Sequence, residues 1–152
     1  MRLDGRRRAD LQSGRLEQSF DWAPGFRPRV FAWLGLPENC SGKVPGVVLV
    51  HGGGGTAFKE WVQKWTAQGF AAISIAVEGQ TDENLGTVSS PIWKKHEWAG
   101  PARVGRYDDS AEPLADQWMY HAAADTILAT SLFTKCRWSG FYLMGDLARH
   151  SS

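Results

Sequence analysis

The run His51-Gly52-Gly53-Gly54-Gly55-Thr56 sets a histidine against four consecutive glycines, directly after the apolar stretch Val47-Val48-Leu49-Val50. Glycine has no Cβ and tolerates positive φ, so such a loop folds tightly and can turn its N–H groups toward a ligand. The group expected there is an anion, or an atom that becomes one during a reaction. Two chemistries use this arrangement. A glycine loop opening onto a helix can cradle the pyrophosphate of a dinucleotide, and Gly52 to Ala57 satisfies the loose pattern G-x-G-x-x-G/A, with Glu78 ending the next strand. Alternatively, His-Gly-Gly-Gly after a strand aims backbone N–H groups at the tetrahedral intermediate of acyl transfer, forming an oxyanion hole. A run of glycines satisfies many patterns, and the histidine directly before it favours the second chemistry.

Other reactive residue types are sparse. Cys40 and Cys136 lie far apart without metal-ligand spacing, so neither a zinc site nor a disulfide framework is indicated, and no metal or other cofactor is expected. His121 and Asp125 stand four residues apart on a helical stretch, a spacing that suits a hydrogen bond on the helix surface better than a metal site.

The elements that position the loop follow from periodicity. Arg29 to Leu34 reads as a strand rich in aromatic and branched residues, closed by Gly35 and Pro37. That strand precedes the glycine loop, which counts against the dinucleotide reading, whose loop follows the first strand of its fold. After the loop, Phe58, Trp61, Val62 and Trp65 form one apolar stripe of an amphipathic helix, with Thr56 placed to cap it. Gly69 suits a left-handed helix stop, with Phe70 able to touch Trp65. Phe70 to Val77 then makes a short apolar strand, completing a parallel strand-helix-strand unit. Glu78 to Pro113 is irregular and reads as a long connection, whose Trp93 and Trp98 either wall a pocket or pin the loop to the body. Asp116 to Phe133 is helical again.

The composition suits one soluble globular domain: 152 residues, 43% hydrophobic and 22% charged. A net charge of +1 gives no general attraction to nucleic acid, so no nucleic-acid partner is expected. Met1 is followed by an arginine-rich polar stretch with neither a signal-peptide core nor a membrane-spanning run, so a cytoplasmic protein without membrane attachment is expected. Residues 1–27 read as a loosely ordered arm, 28–133 as the domain, and 134–152 as a divergent tail.

Val44-Pro45-Gly46-Val47-Val48-Leu49-Val50-His51-Gly52-Gly53-Gly54-Gly55, the tryptophan-rich helix Phe58 to Gln68, and Gly69-Phe70-Ala71-Ala72-Ile73 together resemble the α/β-hydrolases. Among these they are most similar to esterases of the acetyl xylan esterase and dienelactone hydrolase type. The resemblance covers residues 28–133. It implies an α/β chain with a partial α/β-hydrolase fold: a mostly parallel sheet with flanking helices, its second half missing. It also implies an oxyanion donor at the backbone N–H of Gly53 or Gly54, in a loop completed by His51, Gly52 and Gly55, and a small ester or acylated sugar as ligand.

The nucleophile that such an enzyme needs is not there. It should sit on an elbow, G-x-S-x-G, and the chain contains none. Gly140 to Gly145 looks like the strand that leads to the elbow, but laying the motif on Gly145 puts Leu147 at the nucleophile and Arg149 at the second glycine. Leucine cannot attack a carbonyl. Read one nucleotide later, codons permitted for residues 134–140 can give Pro-Ser-Ala-Asp-Gly-Arg-Val, and those for residues 145–150 can give Gly-Ile-Ser-Arg-Gly-Ile. The tail is therefore compatible with a shifted reading frame that hides an elbow. An open sheet edge where further strands would pair is expected to promote self-association.

Overall fold

The structure, a computed structural model, describes residues 13–19, 29–38, 43–135 and 141–145. Its centre is a five-stranded sheet. In chain order the strands and helices are β1 (Ser13–Ser19), β2 (Arg29–Gly35), β3 (Gly46–Val50), α1 (Lys59–Thr66), β4 (Ala71–Ile75), the short strands β5 (Gln80–Asn84) and β6 (Trp93–Lys95), α2 (Trp118–Lys135) and β7 (Phe141–Gly145). The spatial order is β1-β2-β4-β3-β7.

The sheet is mixed rather than mostly parallel. β3 pairs parallel with both β4 and β7, whereas β2 runs antiparallel to β4 and to β1. Parallel pairing requires a crossover long enough to carry a helix. β3, β4 and β7 are separated by such helices and share one direction, whereas β2 runs opposite to its neighbours β1 and β4. Within the stretch read as a loosely ordered arm, Ser13–Ser19 form an edge strand paired along its length with β2. Its alternation was too weak to see in the sequence; register against β2 supplies what periodicity did not.

Successive side chains of a strand point to opposite faces, and the core divides accordingly. Val47 and Leu49 of β3, with Ala72 of β4, pack on Val62 of α1 inside a rim of Trp33, Trp61, Trp65 and Phe70. Val48, Ala71, Ile73 and Ile75 face the other way, onto Trp118, Ala122, Ala129 and Leu132 of α2. The helices thus cover opposite faces, and the near-continuous apolar β3 and β4 are the consequence. Each fully buried valine or isoleucine in these layers contributes about 1.5–3 kcal/mol relative to exposure.

Helix α1 follows the expected stripe but starts differently. Thr56 does not cap it: its hydroxyl donates to the Thr81 carbonyl at 2.9 Å, fastening the loop to β5. The N-cap is Phe58, in extended conformation, and its N–H is satisfied by Ser74 Oγ of β4 at 3.1 Å. The helix stop is as expected. Gly69 takes φ +87°, Phe70 N–H bonds to Trp65 O at 3.1 Å, Gly69 N–H bonds to Thr66 O at 3.0 Å, and the Trp65 and Phe70 rings meet edge to face at 4.9 Å.

The connection from Glu78 to Pro113 is less irregular than its composition suggests. β5 and β6 pair antiparallel as a hairpin, with an exposed Lys94–Glu83 ion pair of 2.8 Å across it. Proline and glycine mask the short strands, which carry threonine, asparagine and charged residues instead of an apolar alternation.

Gly35, at the end of β2, shows how closely α1 approaches the sheet. A Cβ there would lie 2.5 Å from Val62 Cγ1 and 2.8 Å from Thr66 Cγ2. Gly35→Ala is expected to destabilise the chain by about 1–3 kcal/mol through overpacking, measured as a lowered urea midpoint with an unchanged slope.

Candidate functional site

The glycine loop leaves the carboxyl end of β3, where ligands of open α/β sheets bind. His51, only 6% exposed, opens it. Its Nε2 accepts a hydrogen bond of 3.0 Å from the Val77 N–H just beyond β4, and its Nδ1 lies 2.7 Å from the Gly52 carbonyl. An amide N–H can only donate, so Nε2 is unprotonated and the proton sits on Nδ1, pointing at Gly52. Burial lowers the His51 pKa, opposed by the bond to Gly52 and the nearby Glu78 charge. Both nitrogens are committed. In this arrangement the ring fastens the loop to β4 and is not poised as a base.

The four glycines that follow meet constraints of backbone and space. Gly52 O receives the Gly55 N–H at 3.1 Å, closing the turn. Gly54 takes φ +77°, a conformation that side chains disfavour. A Cβ on Gly55 would sit 2.8 Å from His51 Nδ1, and one on Gly53 would overlap the guanidinium of Arg103. The polyglycine run therefore reflects one backbone turn and two close approaches.

The loop already faces an anion, and it belongs to the protein. Glu78, 7% exposed, receives the Gly54 N–H at 3.2 Å on Oε1 and 3.4 Å on Oε2. Gln80 Nε2 donates to Oε2 at 3.1 Å, and Arg103 donates to Oε1 at 3.3 Å. Arg103 also donates from Nε to the Gly105 carbonyl at 2.9 Å and stacks over the Trp118 ring at 5.4 Å. Trp118 opens α2, where Asp109 Oδ2 accepts its N–H at 2.7 Å. Among the described residues the exposed Gly53 N–H has no acceptor. Arg103, remote in sequence and flanked by glycine, proline and alanine, carried no signal that could have linked it to the loop.

Trp93 meets Phe58 edge to face at 5.9 Å, beside the start of α1. Trp98, half exposed, lies under the Arg29 guanidinium at 5.2 Å, and its carbonyl accepts the Arg29 N–H. Trp93 thus touches the residue that caps α1, and Trp98 the first residue of β2. His121 and Asp125 do not pair: His121 Nε2 lies 2.7 Å from the Ala115 carbonyl, ahead of α2. Among the described residues the Asp125 side chain forms no hydrogen bond, and burial pushes its pKa up to about 7. Helical spacing alone suggested that pair, and the approach of the 114–116 turn captured the histidine instead. Cys40, Cys136, Leu147, Arg149 and residues 1–12 lie outside the described residues. Among the described residues no cluster of three or more histidine, cysteine, aspartate or glutamate side chains could hold a metal ion, and no helix is long and apolar enough to cross a membrane.

His51 and Asp125 respond to pH in opposite senses. The depressed His51 pKa means that the unfolded chain takes up its proton first as pH falls below about 6.5, so stability is lost on acidification. The raised Asp125 pKa means that stability is lost as pH rises from the ordinary aspartate range toward 7. Asp125→Asn should therefore raise the melting temperature at pH 8 and expose the histidine effect, giving a melting temperature that falls from pH 7 to pH 5. Adding His51→Gln should flatten that fall.

No protein-family model matches the sequence, and no curated protein matches it either. Solved structures do. An acetyl xylan esterase from Paenibacillus sp. R4 superposes with a TM-score of 0.55 at 18% identity, over 90% of this chain and 46% of the other. Acetyl xylan esterase 1 from Thermoanaerobacterium sp. JW/SL YS485 superposes with a TM-score of 0.52 at 16% identity, over 90% of this chain and 45% of the other. The chain thus spans under half the length of the solved structures it matches. Taken with the strand order, the parallel β3–α1–β4 unit and the loop at its carboxyl end, these matches show that the chain has a partial α/β-hydrolase fold.

Proposed function

We propose that the chain is of serine carboxylic-ester hydrolase lineage, acetyl esterase-like, retaining the oxyanion loop but lacking the nucleophile elbow, and that it does not carry out triad hydrolysis. The observation that supports this reading is the register of β7 on β3. Gly145 stands opposite Val50, so the two strands end side by side, at the edge where the glycine loop begins. A strand that ends there would present a nucleophile to the loop donors. The residues that follow are Asp146-Leu147-Ala148-Arg149, with no serine to present.

In this reading Gly53 supplies the donor with a free N–H, Gly54 a second donor now bonded to Glu78, and Trp93 and Trp98 border the ligand side. Relatives with an intact elbow would transfer an acyl group from a small ester or acylated sugar to serine and then to water. The unpaired edge of β7 among the described residues would favour self-association.

A second reading, a non-catalytic module that binds a small molecule or partner, is favoured by the engagement of Gly54 and Arg103 with Glu78. A dinucleotide is disfavoured by the same geometry. The Glu78 carboxylate occupies the loop donor that a pyrophosphate would need, and its charge repels one.

Incubation with a fluorophosphonate probe, followed by intact-mass measurement, should give no adduct. An adduct that Gly53→Pro abolishes would reveal a working nucleophile beside a working oxyanion hole, and the proposal would fail.

A further inference from the structure

The occupant of the glycine loop is a carboxylate, and the way it is held points to a site rather than to a simple ion pair. The Gly54 N–H reaches both oxygens of Glu78, and the Arg103 guanidinium approaches Oε1 from across the loop. Arg103 is held in place by its bond to Gly105 and by its stacking on Trp118, whose own ring N–H donates to the Arg106 carbonyl at 3.2 Å. The missing Cβ of Gly53 leaves the room that the guanidinium fills. A buried carboxylate without such partners would be costly, so the cluster neutralises Glu78.

The fit is nevertheless imperfect. Charge-assisted N–H···O bonds settle at about 2.7–2.9 Å. The Glu78 contacts run from 3.1 to 3.4 Å, and the carboxylate is tethered to the backbone just beyond the end of β4. A free carboxylate carries no such tether. Arg103, 29% exposed along its side chain, is reachable from solvent. Glu78 would keep its Gln80 partner when displaced from Gly54 and Arg103, and Gln80 Oε1 is itself buried with no partner among the described residues.

We infer that the Gly54 N–H and the Arg103 guanidinium form a binding site for a small carboxylate, of which Glu78 is the resident occupant. The loop is then closed to external oxyanions by an internal one and opens by exchange. This assignment goes beyond the hydrolase reading and stands or falls separately from it, since it requires neither a nucleophile nor an ester.

The test is titration of the ¹⁵N-labelled chain with sodium acetate at constant ionic strength, following the Gly54 amide and Arg103 Nε–H signals. In the unmodified chain both signals should shift saturably with one shared, weak Kd. Glu78→Gln keeps the shape but removes the competing charge, and should bind acetate about tenfold more tightly. Glu78→Gln/Arg103→Gln should lose the shift. Equal affinity in the unmodified and Glu78→Gln chains, or a response that survives in the double variant, would overturn the assignment. Should the variants fail to fold, the unmodified chain decides alone: no saturable shift at Gly54 and Arg103 overturns it.

Discussion

The imidazole of His51 is the joint on which the glycine loop depends. β3 and β4 are parallel neighbours whose ladder ends at Val50 and Ile75, and beyond that point the backbone must find other partners. His51 supplies them on both sides at once, accepting from Val77 and donating to Gly52. Only the neutral Nδ1–H form can do this, and burial favours the neutral form. With that bridge in place, Glu78 follows one residue after Val77 and arrives beneath Gly54. A histidine directly before the glycines is thus explained by its two hydrogen bonds, with no catalytic duty required of it.

The loop was expected to face an anionic ligand or reacting group, and its Gly54 N–H meets the chain's own Glu78 carboxylate. Backbone donors collected by a glycine turn attract an anion whatever its source. Here the sheet delivers one from β4, and Arg103 and Trp118 close over it from the segment leading into α2. The same cluster joins both ends of the fold's long connection, since Glu78 begins it and Trp118 follows its end. The hairpin, the Arg29–Trp98 contact and the Thr56–Thr81 bond fasten its middle.

Much of the scaffold was legible because its signals are local. The stripe of Trp61, Val62 and Trp65, the stop at Gly69 and the apolar runs of β3 and β4 each state their structure within a few residues, and the stretch ending at Gly145 does form a strand beside β3. What was not legible depends on pairing across distance. β1 becomes a strand by register with β2, β5 and β6 by register with each other, and Thr56 is drawn from the helix start by Thr81. The His121–Asp125 pair failed for the same reason, because the competing acceptor, Ala115, lies on another element. In the site, the glycines and His51 were visible as a group, whereas Arg103 entered only through the fold.

The most direct test of this account is the protonation state of the His51 ring, read from long-range ¹H–¹⁵N correlations at pH 7. The expected result is a neutral ring with the proton on Nδ1 and an unprotonated Nε2, unchanged on mild acidification until the chain itself loses stability. A ring protonated on Nε2, or an imidazolium at neutral pH, would break the bond to Val77 and contradict the joint on which the placement of Gly54 and Glu78 rests.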